Sequence, residues 1–367
     1  MFYKKKKYIS SASISALAWR KFIKNKLSLI AFLTIILITI TAILGYLIIP
    51  DSTPYANEQY LELTAKKPGF KIQMLNISRP EKEQHTNFIH KMLYGERTNY
   101  TSVPIFTSHN EGNVIVYETF TGASPNDGEI KRVDRSKVVS ITNKRFLLGT
   151  DRFGRDELSQ LIIGTRVSLS VGFISVLISL VIGILLGALS GFFRGWVDNL
   201  IVWFINVVWS IPTLLLVIAI TFALGKGFWQ VFIAVGLTMW VEVARVVRGQ
   251  ILSLREKEFV EAGRALGFRN SRIIFRHILP NVMGAVIVIS AANFASAILI
   301  EAGLSFLGIG VQPPMPSWGM MIKENYGSII LDAAYLAILP GLAIMVVVLA
   351  FMIIGNGLRD ALDVKME

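Results

Sequence analysis

Apolar residues in this chain gather into long unbroken runs, a pattern produced neither by the period-2 alternation of a half-buried strand nor by the period-3.6 stripe of a surface helix. From Leu27 to Pro50 the run LSLIAFLTIILITITAILGYLIIP contains no charge, and about 20 such residues in a helix cover ~30 Å of hydrocarbon. Further charge-free runs lie between Arg166 and Arg194, Asp198 and Lys226, Lys226 and Glu242, His277 and Glu301, and Asp332 and Arg359. The pattern predicts an all-α polytopic membrane protein with six transmembrane helices, the first over 27–49. The fourth run, GFWQVFIAVGLTMWV, is short and must borrow polar ends such as Glu242 to reach both interfaces. The first is too long for a secretory h-region and is read as a retained helix.

Residues 50–146 break the pattern. Turn signals at Pro54, Lys67-Pro68-Gly69 and Asn126-Asp127-Gly128 punctuate a polar stretch of mixed charge, and Phe70–Ile77, Asn113–Phe120 and Lys137–Thr142 alternate in part between apolar and polar. Such runs predict strands. A β-rich insert between helices 1 and 2 is therefore expected.

Orientation follows from lysine and arginine in the flanking loops. Residues 1–26 carry eight basic and no acidic side chains, residues 51–157 carry 15 basic and 14 acidic, and Arg245–Arg276 carries eight basic and three acidic. This distribution predicts a cytoplasmic basic N-terminus over 1–26, an extracytoplasmic domain over 50–146 and a cytoplasmic loop over 250–281. Six spans then leave both termini cytoplasmic. The Lys4 to Lys7 run reads as an anchor to anionic membrane lipid, not as a nucleic-acid patch.

Composition sharpens this reading. The chain is 53 % hydrophobic and 17 % charged, against about 45–50 % and about 25 % for soluble domains. It has no cysteine, which excludes disulfides, thiolate metal sites and a thiol nucleophile. Its four histidines, His85, His90, His109 and His277, give no metal-ligand spacing, so no metal site is expected. The sequence contains no G-x-x-x-x-G-K-[ST], no H-E-x-x-H and no G-x-S-x-G, so neither a phosphate-cradling loop nor hydrolase chemistry is predicted.

Within the spans, Gly183 and Gly187 form a small-xxx-small pattern suited to close helix packing. Pro212 should bend the third span or end a turn before it. Glu242 and Arg245, three residues apart, are placed to pair on one helix face. Glu301 lies about 31 Å along a helix from Pro280, which puts it at the pore mouth or the outer interface.

The loop after the fourth span, Leu252 to Asn281, reads as two short helices. The first covers Glu256 to Leu266 and ends at Gly267, which can take φ > 0. The second covers Arg272 to Leu279 with Ser271 as its N-cap, and Pro280 opens a further helix. This segment resembles the Glu-Ala-Ala loop of bacterial ATP-binding-cassette importer permeases, with Glu261, Ala262, Gly267, Leu279 and Pro280 in register. Gly263 replaces the motif's second alanine, and His277 stands at its isoleucine. Leu148–Asp156, Gly164–Leu169, Gly195–Asp198, Leu304–Pro314, Pro316–Gly319 and Gly357–Asp363 look like the second permease of the dipeptide, oligopeptide and nickel branch.

The resemblance implies a type I importer permease fold over 147–367 and a pore-forming subunit for oligopeptide import. It implies a sister permease, two cytoplasmic ATPases that bind ATP and Mg, and an extracytoplasmic substrate-binding lipoprotein, all in a bacterial cytoplasmic membrane. Coupling would run through 256–280, with Glu261 as the charged contact and Gly267 as the turn. A nickel or metal-chelate importer is the alternative within the branch. An ion-coupled secondary transporter is the alternative outside it, and would place carboxylates or broken helices near the midplane of repeated halves.

Overall fold

The computed structural model describes residues 14–79, 87–122, 124–225, 227–330 and 332–362. The Lys4 to Lys7 run, His85 and the last five residues lie outside them. The elements in chain order are helices α1 (Ile14–Lys24) and α2 (Lys26–Ile48), strand β1 (Phe70–Ser78), helix α3 (Phe88–Tyr94), and strands β2 (Tyr100–Glu111), β3 (Val114–Thr119), β4 (Ile130–Asp134) and β5 (Val138–Phe146). Helices follow at α4 (Glu157–Phe193), α5 (Gly195–Trp209), α6 (Thr213–Leu224), α7 (Phe228–Leu254), α8 (Glu258–Ala265), α9 (Asn270–Arg272), α10 (Leu279–Phe306), α11 (Trp318–Asn325) and α12 (Tyr335–Leu362).

Among the described residues five helical stretches are long and apolar enough to cross a membrane: α2, α4, α7, the run Asn270–Phe306 and α12. The sixth expected span is not one straight helix, because α5 and α6 meet at 91°. Pro212 is the cause. Lacking an N–H, it cannot continue the ladder of α5, and it stands at φ −52°, ψ 125° as the residue that starts α6. The fourth span is longer than its charge-free run: α7 continues through Glu242, Arg245 and Arg248 to Leu254. It can do so because the interleaved Val243, Ala244 and Val247 are fully buried and repay the continuation.

α4 and α7 are the central pair, and a row of glycines lets them meet. A Cβ on Gly183 would lie 2.5 Å from the Val243 Cβ, one on Gly187 2.6 Å from the Ala244 carbonyl oxygen, and one on Gly191 2.9 Å from the Arg248 carbonyl oxygen. Only a residue without a side chain fits at such separations. At one end of this pair Ala188, Phe192, Val247, Ile251, Val260, Ile278 and Val282 form one buried cluster; nearer the other end Val171, Val217, Val231, Phe232 and Ala297 form a second.

Between α2 and α4 the chain folds into a five-stranded antiparallel sheet of order β4-β3-β2-β1-β5. Three strands fall on the alternating runs. β2 and β4 escape that pattern because β2 contains Pro104 and ends in exposed polar residues, while β4 is a charged edge strand. The sheet is tied to the helices by directed bonds. The Asp51 amide donates to the Ser159 hydroxyl at 3.1 Å, the Gln160 amide to the Tyr55 carbonyl at 3.0 Å, and the Tyr335 hydroxyl to the Lys66 carbonyl at 2.8 Å. Asp156 caps α4, accepting from the Ser159 amide at 2.8 Å and its hydroxyl at 2.5 Å.

Candidate coupling segment and translocation face

At the end of the bundle away from the sheet, α7 stops at Leu254 and the chain turns into α8. Val260 and Gly263 face inward, with Val260 packed among Val247, Ile251 and Ile273. Glu261, Ala262 and Arg264 face solvent, and Phe259 and Leu266 are exposed apolar side chains, Leu266 at 72 %. An amphipathic helix with an apolar outer edge is a surface built to be covered. Gly267 ends α8 at φ 73°. Its N–H donates to the Arg264 carbonyl at 2.9 Å and the Phe268 N–H to the Gly263 carbonyl at 3.0 Å, the bond pair of a Schellman turn, which favours glycine at the left-handed position. The missing second alanine costs no space here, since a Cβ on Gly263 would sit 3.5 Å from the Phe268 ring in ordinary contact.

The second half of the segment departs from the expected pair of separate helices. Arg269, at φ −63° and ψ 145°, is the residue before the helix, and Ser271 lies inside it, not at its cap. Nor does a new helix open at Pro280. Asn270 to Phe306 is one continuous stretch, passing through a π turn over Ile273–Ile278 in which the Leu279 N–H reaches the Ile274 carbonyl. Pro280 explains the wide turn. It has no proton for the carbonyl four residues back, and its ring crowds that position, so the looser ladder carries the helix across it. Leu279 and Pro280 thus lie inside the continuous helix that runs from the exposed segment into the membrane span. Phe268 is held between the Arg272 guanidinium, 4.3 Å from its ring centroid, and the His277 ring stacked at 5.8 Å.

A clamp that sequence reasoning missed ties this segment to the α4–α5 corner. Arg248 on α7 donates Nε to Asp198 Oδ1 at 2.7 Å and Nη2 to Oδ2 at 2.8 Å, and the Ser190 hydroxyl of α4 donates to the same carboxylate. Arg194 pairs with Glu256 at 2.5 Å, and Arg255 donates to the Phe192 carbonyl. The one available signal was Asp198, the acid that opens the charge-free run to Lys226.

Glu242 and Arg245 do not pair. The Arg245 guanidinium sits over the Trp209 ring, 3.8 Å from its centroid, because the α5–α6 elbow brings an aromatic face within reach. Glu242 is left on a cavity of about 340 Å³ lined also by Trp209, Ile211, Thr213, Thr238 and Ser296. Glu301, placed by its spacing at the pore mouth or the outer interface, does not present its side chain to an open face of this chain. It is fully buried between α10 and α4, accepting from the Ser305 hydroxyl at 2.7 Å, with the Ser168 hydroxyl 3.5 Å away.

Residues 183–367 match the family described as the binding-protein-dependent transport system inner membrane component. The chain belongs to that family. Residues 13–68 match a second description, the N-terminal TM domain of oligopeptide transport permease C. The glutathione transport system permease protein GsiD of Pectobacterium atrosepticum is 42 % identical over 220 residues, covering 60 % of this chain and 73 % of that protein. The dipeptide transport system permease protein DppC of Alkalihalophilus pseudofirmus is 44 % identical over 219 residues, covering 60 % and 72 %. A solved structure, the inward-facing MetNI methionine ABC transporter, superposes with a TM-score of 0.46 at 18 % identity, over 55 % of this chain and 96 % of that one. The permease is thus a multi-pass inner-membrane transport subunit, with ATP hydrolysis in partner subunits and with a sister permease and a substrate-binding protein completing the system.

Proposed function

We infer that this permease forms, with its sister subunit, the pore of an ATP-driven importer of short peptides. The observation that carries the reading is the exposed face of α8, closed by the Gly267 turn that leads directly into the continuous Asn270–Phe306 helix. A knob fixed to a membrane helix can convert closure of two nucleotide-bound subunits into helix movement, a rigid-body transition between two packed states. Glu261 and Ala262 contact the ATPase, Gly263 and Gly267 shape the turn, and Leu279 and Pro280 transmit the movement. ATP and Mg are bound by the partner ATPases. The dipeptide and glutathione names of the relatives support a peptide cargo over nickel.

The basic residues of Arg245–Arg276 support a cytoplasmic coupling end and cytoplasmic termini. The sheet then lies outside, where it receives the substrate-binding lipoprotein or the sister permease. The test is reconstitution of the permease with sister subunit, ATPases and binding protein in proteoliposomes. Binding-protein-dependent uptake of alanyl-alanine is expected, with loss of both ATPase association and uptake in Glu261→Lys and Gly267→Val. Survival of both in those variants would remove the coupling role from this segment.

A further inference from the structure

The cavity at the α5–α6 elbow opens on a face that this chain leaves uncovered, where Ile211 on the elbow, Glu242 on α7 and Ser296 and Leu299 on α10 are exposed. Glu242 lies about 21 Å along α7 from Phe228 and about 18 Å from Leu254, flanked by Val241, Val243 and Ala244, all buried against the rest of the chain. It has no ion pair or hydrogen bond among the described residues, and the nearby cation, Arg245, is held on Trp209. An ionised carboxylate inside an apolar span cannot be turned to lipid tails, and such residues face a water-filled path or a partner charge. The rest of the cavity wall is mostly aliphatic, broken by the Trp209 ring and the hydroxyls of Thr213, Thr238 and Ser296, and among the described residues it holds no second carboxylate and no base.

We propose that Glu242 receives the primary ammonium group of the peptide as it passes the elbow, and so selects for substrates with a free amino terminus. This rests on the peptide-importer reading. Every unmodified peptide carries that cation, and a carboxylate in a partly desolvated wall is the complementary group, strengthened by the low local dielectric. Thr213 and Ser296 offer hydroxyl oxygens on the same wall for the remaining ammonium protons. Glu242 here is a specificity-determining residue, with no part in ATP chemistry.

The experiment uses the complete importer in proteoliposomes, with alanyl-alanine as the probe and the number of peptides imported per ATP hydrolysed as the readout. Glu242→Gln, which keeps shape and removes charge, is expected to lower that ratio about tenfold. Glu242→Asp is expected to stay within about threefold of wild type, and Glu242→Lys to block import. All three should elute as intact complexes. An unchanged ratio in Glu242→Gln overturns the proposal. So does a Glu242→Gln complex that falls apart, the behaviour of a residue paired with a base of the sister permease. Absence of binding-protein-dependent uptake by the wild type would instead overturn the importer reading on which the proposal stands.

Discussion

Arg248 holds both carboxylate oxygens of Asp198 in a planar fork, at 2.7 and 2.8 Å, and thereby fixes α7 to α5 beside the segment that leads into α8. The pair is partly open to solvent, so its worth falls well short of a buried pair. A double-mutant cycle of Asp198→Asn and Arg248→Gln should give a coupling energy of about 1 kcal/mol in detergent unfolding followed by tryptophan fluorescence. Arg248→Lys, which keeps the charge and loses the fork, should recover less than half of it. A coupling energy near zero would mean that the geometry holds nothing together.

Gly263 and Gly267 share one helix end and predict opposite outcomes. Gly263→Ala has room beside Phe268 and should stabilise α8 by up to about 1 kcal/mol. Gly267→Val must place a β-branched residue at φ 73°, which costs about 1–2 kcal/mol or more. Hydrogen exchange at the α8 amides reads both, with slower exchange expected in the first variant and faster in the second. Equal protection in the two would contradict the Schellman turn.

The glycine row on α4 supplies its own control. Gly187→Leu drives a side chain against the Ala244 carbonyl and Val247, where the first added atom already sits at 2.6 and 2.9 Å. Overpacking of this kind costs about 1–3 kcal/mol. Gly249→Ala on α7 meets nothing within 4 Å and should be neutral or stabilising by up to about 1 kcal/mol. The midpoint of thermal unfolding in detergent should therefore fall for the first and hold or rise for the second.

Much of this arrangement was legible because it depends on local chemistry. Charge-free runs mark spans whatever packs on them, and Gly267 marks a helix end because few other residues adopt its φ. What the sequence obscured depends on partners distant along the chain. The three-residue spacing of Glu242 and Arg245 permits a pair but cannot weigh it against Trp209, which another helix brings in. Asp198 and Arg248 meet only once α5 and α7 have packed on α4. Ser271 is a good cap residue, yet the extended backbone of Arg269 lets the helix start earlier. Pro280 looked like a boundary because the π turn that accommodates it has no sequence signature of its own.

The junction between sheet and helices predicts a pH dependence. Arg155 donates Nε to Asp151 Oδ2 at 2.6 Å, both buried, and pairs also with the half-buried Glu324, while beside them burial pushes the Asp156 carboxyl above its ordinary range. A folded-state pKa raised above the unfolded value gives a contribution that is full below the unfolded pKa, about 3.9, and is lost as pH rises through the folded value. Wild type should therefore lose stability at this site as pH rises from about 4. Asp156→Asn keeps the cap on Ser159, since asparagine caps as well as aspartate, and removes the titration. The stability of Asp156→Asn relative to wild type should then increase with pH and reach its largest value near neutrality. Arg155→Met should show the opposite sign, its stability relative to wild type falling as pH rises. It leaves the buried Asp151 and the half-buried Glu324 without their cation, a loss of up to about 3–5 kcal/mol at neutral pH that shrinks as acid neutralises them. Unfolding curves at pH 5 and pH 7 test both. A deficit in Arg155→Met that is as large at pH 5 as at pH 7 would mean that packing at the junction, and not charge, holds the sheet to the helices.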